Sequence, residues 1–113
     1  MHELPVTENI LKIVLEEGKK HNVQKISKIK IKIGELSDLV PDCINYYFAL
    51  FSKGSIAQEA IIEIEKLPLK VNCNSCGILS EIDIKSFRCP KCSSQDLKII
   101  SGREFYIDSM EVD

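Results

Sequence analysis

Two groups of residues in this 113-residue chain have the types and spacing of metal ligands. The first is a pair of pairs, Cys73-x2-Cys76 in "CNSC" and Cys89-x2-Cys92 in "CPKC", with twelve residues between them. Two close pairs at this separation let four thiolates converge tetrahedrally on one ion, the closed arrangement of structural zinc. With all four positions filled, nothing is left open for a substrate. The same ligand set suits a rubredoxin-like iron site, and two disulfides are the remaining arrangement, disfavoured in a reducing compartment. Between residues 67 and 98, Lys70, Lys85, Arg88, Lys91 and Lys98 stand against Glu81, Asp83 and Asp96, a balance of +2. Four thiolates and one Zn²⁺ cancel it, so the loaded segment carries no phosphate-binding footprint.

The second group is the opening "MHEL". The α-amine of Met1, the amide nitrogen of His2 once deprotonated and the His2 imidazole lie within reach of a single ion. Nitrogen donors in one plane suit a square-planar ion such as Ni²⁺ or Cu²⁺, where tetrathiolate suits Zn²⁺. Glu3 adds an oxygen or orients the ring. The bulk of His2 keeps the initiator Met1 in place and the amine in register. Against this stands the plain reading that terminal residues tolerate change and a histidine there means nothing. Taken together, the two groups predict one metal held for structure and another held for delivery.

Around these groups the chain reads as α+β. "PVTENILKIVLEEGKK" from Pro5 to about Lys20 is an amphipathic helix, with Ile10, Leu11, Ile13, Val14 and Leu15 forming its apolar stripe and Asn22 placed to close it. In "KISKIKIKIG", Ile29, Ile31 and Ile33 alternate with Lys28, Lys30 and Lys32, the period of a half-buried strand. The lysine row reads as a solvated face that Glu63 and Glu65 of "IIEIEK" can pair with across a sheet. A second helix starts at Pro41, carries Asp42 in its first turn, lines one face with Ile44, Tyr47, Phe48 and Phe51, and stops at Gly54. Its Cys43 reads as a small buried hydrophobe.

Strand character returns in "AIIEIEK" up to Pro68 and again in "GREFYIDSMEV". The predicted architecture is a three-stranded antiparallel sheet with two helices, built from residues 1–67 and completed by a return strand at 99–113. A small zinc-ribbon-like module at 68–98 is inserted between them. A module of about 30 residues cannot bury enough apolar surface to fold alone, so metal binding must supply the missing stability.

Composition excludes several functions. The net charge is −2, with 44% hydrophobic residues, so the chain is not built mainly to neutralise nucleic acid. No apolar run spans a bilayer and no signal peptide opens the chain, which implies a cytoplasmic protein without a membrane partner. No Ser/His/Asp or Cys/His set and no Gly-rich phosphate loop is legible. No catalytic residue is therefore assigned, and the chain is read as binding rather than turning over. The competing reading is a zinc-ribbon module for nucleic acid or protein, blind to nickel. A small iron electron carrier is a third.

"MHE" at the start, the helix–strand–helix–strand run containing "IGELSDLVPD", the inserted "CNSC…CPKC" and a final strand together resemble the HypA-type hydrogenase nickel incorporation proteins. The resemblance covers the whole chain. It implies a metallochaperone that binds Ni²⁺ through its N-terminal residues and passes it towards the large subunit of a nickel–iron hydrogenase, with the GTPase HypB as companion and zinc as a structural cofactor. It carries nickel binding to His2, with Met1 and Glu3 beside it, and zinc to Cys73, Cys76, Cys89 and Cys92, in a monomer or weak homodimer. Where some relatives have an acid this chain has Val40, flanked by Asp38 and Asp42. Its only histidines are His2 and His21, so a role in serving urease is not implied.

Overall fold

A computed structural model describes residues 3–113. The elements in chain order are α1 (Glu3–Lys20), β1 (Ile26–Gly34), α2 (Pro41–Phe51), β2 (Ile61–Leu67), β3 (Leu69–Cys73), β4 (Leu79–Ile82), a 3-10 turn (Ile84–Ser86), β5 (Leu97–Ser101) and β6 (Phe105–Val112). No helix among the described residues is long and apolar enough to cross a membrane.

Helix α1 begins two residues before Pro5, and its buried stripe is Glu3, Thr7, Ile10, Val14 and Gly18. These positions advance by four, three, four and four, the spacing of one helical face. Ile13, expected on that face, is 40% exposed. The stripe includes an acid, a hydroxyl and a glycine, so a search for apolar residues alone draws it rotated. Asn22 ends the helix as expected. Its φ is +54°, and the N–H groups of Asn22 and Val23 donate to the carbonyls of Lys19 and Gly18 at 3.3 and 2.9 Å, satisfying the orphaned last turn.

Helix α2 opens on Pro41 at its first position after an extended Val40. Ile44 and Phe48 are buried. Phe51 is instead 37% exposed, stacked on Tyr47 with ring centroids 6.0 Å apart, and Cys43 is half-buried.

The first sheet has the order β2-β1-β6. From β1 towards the C-terminal strand the partners descend: Gln24 N–H donates to the Asp113 carbonyl, Ser27 Oγ to that of Glu111, and Gly34 N–H to that of Glu104. This pair is antiparallel. Towards β2 they ascend: Lys28 to Glu63 at 3.4 Å, Lys32 to Glu65 at 2.6 Å, and Glu35 N–H to the Leu67 carbonyl at 2.9 Å. This pair is parallel, which corrects the expectation of an all-antiparallel sheet. The reason is α2, which carries the chain back to the end from which β1 started, as a helical crossover does. The expected charge pairing of Lys28 and Lys32 with Glu63 and Glu65 is present.

Beyond the one sheet the sequence predicts, the chain forms a second three-stranded sheet, β4-β3-β5. Both its pairings are antiparallel, running from Leu69↔Ile82 to Asn72↔Leu79 on one side and including Cys73↔Leu97 on the other. Leu69, Val71 and Cys73 are buried while Lys70 is exposed and Asn72 half-buried, the alternation of a sheet with one covered face.

The chain forms two compact units. One comprises Met1–Ile31, Asp38–Ile64 and Ile107–Asp113, the other Lys32–Ser37 and Glu65–Tyr106. The first buries Ile10, Val14, Ile26, Ile29, Ile31, Ile44, Phe48, Ala57 and Ile62. The second buries Ile33, Leu69, Val71, Cys73 and Cys89.

Candidate metal centre

The second sheet delivers the first cysteine pair. Cys73 is the last residue of β3, and beyond it the chain folds into a tight knuckle. Cys73 N–H donates to the Ile78 carbonyl at 3.0 Å, Gly77 N–H donates back to the Cys73 carbonyl at 2.8 Å, and Cys76 N–H points at Cys73 Sγ at 3.4 Å. Gly77 closes the turn at φ +76°, where residues with a Cβ are disfavoured.

The second pair repeats this construction. Cys89 N–H donates to the Ser94 carbonyl at 2.8 Å, Ser93 N–H to the Cys89 carbonyl at 2.9 Å, and Lys91 N–H to Cys89 Sγ at 3.4 Å. Ser93 stands where Gly77 stands in the first knuckle, at φ +63°. The two knuckles are also tied directly. Asn74 N–H and Nδ2 donate to the carbonyl and Oδ1 of Asp96 at 2.9 and 3.0 Å, and the Ser75 and Ser94 hydroxyls lie 2.9 Å apart.

The four sulfurs converge. Cys73 Sγ lies 3.6 Å from Cys92 Sγ, Cys76 Sγ lies 3.6 Å from Cys89 Sγ, and all four fall within 4.8 Å of one another. Zn–S bonds of about 2.3 Å in a tetrahedron set sulfur–sulfur edges of about 3.8 Å. The donor set therefore fits zinc in both chemistry and size. All five cysteines are free thiols. Among the described residues, this is the one cluster of cysteines, histidines or acids able to hold a metal.

The protons on these sulfurs are unequally held. The Cys76 N–H, aided by that of Ser75 and by the Cys92 and Cys76 thiols, holds Cys73 down to about 6 against the opposing pull of burial. The N–H groups of Cys92 and Lys91 likewise lower Cys89. At Cys76 the Ile78 N–H favours the thiolate, but burial and the Cys89 and Cys73 sulfurs outweigh it and raise the thiol. At Cys92 the Ser94 N–H is outweighed by Cys73, burial and the remaining sulfurs, which push it up to about 12. Four thiolates do not coexist here without a cation to balance them.

A divalent ion must displace protons to bind. At pH 7.5 Cys73 is already ionised and Cys92 is not, so zinc loading is expected to release about one to three protons rather than four. Calorimetric titrations in buffers of different ionisation enthalpy measure this number. Below about pH 6, where Cys73 also takes up its proton, the competition sharpens and affinity falls more steeply.

Of the N-terminal group, Met1 and His2 lie outside the described residues. Glu3 occupies the first turn of α1, is 5% exposed, and its carboxylate accepts a 2.9 Å hydrogen bond from the Val40 N–H. The Thr7 hydroxyl donates to the Glu3 carbonyl. Asp38 and Asp42, on either side of Val40, are exposed, as is His21 at the far end of α1. The cysteine spacing alone reveals neither the turn-closing residues Gly77 and Ser93 nor the Asn74–Asp96 tie. The available signal was the repeat itself, a small residue immediately after the second cysteine of each pair.

Comparison with known proteins gives a consistent result. The family model described as "Hydrogenase/urease nickel incorporation, metallochaperone, hypA" matches residues 1–112. The chain is 37% identical over 118 residues to a hydrogenase maturation factor HypA of Lawsonia intracellularis, covering all of both chains. It is 34% identical over 113 residues to one of Dehalococcoides mccartyi, covering all of this chain and 95% of the relative. Among solved structures, the solution structure of the nickel metallochaperone HypA from Helicobacter pylori aligns with a TM-score of 0.67 at 26% identity, over 99% of this chain and 97% of that one. A second solution structure of a HypA protein aligns with a TM-score of 0.72 at the same identity, over 99% and 96%.

Proposed function

The chain belongs to the HypA family of nickel metallochaperones for hydrogenase maturation, and from that premise we propose that it receives Ni²⁺ at Met1 and His2 and keeps Zn²⁺ in the four-cysteine centre. The observation that carries this division is the closure of the sulfur cluster. Four thiol sulfurs within 4.8 Å fill a tetrahedral ion completely and leave no position for a cargo that must enter and leave. A separate, exchangeable site is required, and the amine, amide and imidazole of Met1 and His2 have the donor chemistry for a square-planar Ni²⁺.

Glu3 contributes by position in this reading. Its carboxylate is engaged by the Val40 N–H, which fixes the start of α1 beside the extended residue that precedes α2. The proposed role is to hold Met1 and His2 in register while the nitrogen atoms do the binding. The 68–98 segment acts as a zinc-ribbon-like module interrupting a nickel-binding domain of residues 1–67 and 99–113. The protein is not an enzyme: it works in the cytoplasm as a monomer or weak homodimer, with the GTPase HypB supplying hydrolysis and the hydrogenase large subunit receiving nickel.

Calorimetric Ni²⁺ titration of untagged, zinc-loaded protein tests the site. One-to-one binding is expected, abolished by His2→Ala and by residues added before Met1. Glu3→Gln, whose amide oxygen can still accept from the Val40 N–H, is expected to retain one-to-one binding. Unchanged titrations for His2→Ala and the extended variant would refute the N-terminal assignment.

A further inference from the structure

The two knuckles share their hydrogen bonds but not their anchorage. Cys73 ends the central strand of its sheet, and the pairings Cys73↔Leu97 and Asn72↔Leu79 hold that strand from both sides. Cys89 and Cys92 instead lie in the loop between the 3-10 turn Ile84–Ser86 and β5 and belong to no strand. Pro90 stiffens the inside of that knuckle without joining it to the sheet. The closing residues differ as well. Gly77 adopts φ +76° and Ser93 φ +63°, a region that glycine enters freely and that crowds a Cβ against its own backbone. In each pair the first sulfur is buried and the second, Cys76 or Cys92, is exposed.

We infer that the metal centre opens from its Cys89–Cys92 half while Cys73 and Cys76 keep hold, and that Ser93 is the positioning residue that sets this order. The inference rests on the zinc reading of the cluster. Its physical content is that the loop-borne knuckle releases backbone strain when it opens, whereas the other knuckle is pinned at its first cysteine, Cys73, by the paired strand β3. Cys92, exposed and next to the strained Ser93, is then the first sulfur that a competing ligand meets.

Differential labelling of the full-length zinc-loaded protein tests this. Zinc content is measured first; the protein is then exposed to EDTA with limiting N-ethylmaleimide, and the labelled peptides are quantified by mass spectrometry. Denatured metal-free protein gives the intrinsic reactivity of each thiol, and Cys43 serves as an internal reference. After correction, Cys92 is expected to label at least about threefold faster than Cys76. Ser93→Gly is expected to slow zinc loss about fivefold and to bring the two rates within about twofold, the scale that relief of left-handed strain gives. A protein that binds no zinc overturns the zinc reading and this inference with it. Bound zinc with Cys76 labelled as fast as Cys92 overturns the order alone, and a Ser93→Gly protein that behaves as wild type overturns the role of Ser93.

Discussion

Cys73→Ser is expected to strip the protein of zinc and to abolish the cooperative unfolding of the unit formed by Lys32–Ser37 and Glu65–Tyr106. Cys73 is 1% exposed at the end of a strand paired on both sides, so its sulfur is the one that the sheet itself positions. A serine hydroxyl in its place does not ionise near neutral pH and leaves three thiolates around an ion that prefers four. The stake is large because, with zinc in the four-cysteine centre as proposed, metal binding supplies folding free energy. Structural Zn²⁺ sites bind with about 10–16 kcal/mol at neutral pH, while few large apolar side chains are buried in this unit, Ile33, Leu69 and Val71 among them. Cys43→Ser is the control. Cys43 is half-buried and outside the cluster, and a change of about 1 kcal/mol or less is expected. Zinc content by elemental analysis and thermal unfolding by circular dichroism report both effects. A Cys73→Ser protein that retains one zinc and an unchanged transition refutes the assignment of that unit's stability to the metal.

The cysteine spacing was legible because metal ligation is local in sequence. Two residues between partners fixes a knuckle, and two knuckles of the same chain can close on one ion wherever the intervening segment goes. What spacing does not carry is the structure between the pairs and after them. The strands β4 and β5 are four and five residues long, too short for an alternating pattern to rise above chance, and they are held by β3 and the knuckles rather than by their own propensity. The same limit explains α1. Glu3 and Gly18 are buried because one meets the Val40 N–H and the other gives Ile56 room, and both partners lie far along the chain. The parallel β1–β2 pair was available from element order alone. A strand, a helix of eleven residues and another strand is the sequence of a crossover. The alternation of isoleucine and lysine in β1 is silent about direction, since period two is common to both kinds of sheet.

Gly34→Ala is the most damaging single methyl group expected in the chain. A Cβ at Gly34 would fall 2.1 Å from both the carbonyl carbon and oxygen of Gly102 and 2.6 Å from the Arg103 nitrogen. All three are backbone atoms, so no rotamer change relieves the overlap, and the two chain segments must separate. Their separation breaks the 2.7 Å bond from Gly34 N–H to the Glu104 carbonyl and the 2.8 Å bond from Leu36 N–H to that of Gly102. Gly102 cannot yield in compensation. It sits at φ +130°, and its own missing Cβ would lie 3.3 Å from Leu69 Cα. A loss of at least about 3 kcal/mol follows, at the upper end of single-substitution effects. Gly18→Ala isolates the cause. Its added Cβ comes within 2.8 Å of Ile56 Cδ1, the free tip of a flexible side chain that can rotate away. Alanine also gains about 1 kcal/mol of helix propensity over glycine, so the two effects nearly cancel. Denaturant unfolding of the two zinc-loaded variants beside wild type decides the matter. If Gly34→Ala unfolds at the wild-type midpoint, the close approach of Gly34 to Gly102 does not constrain this fold.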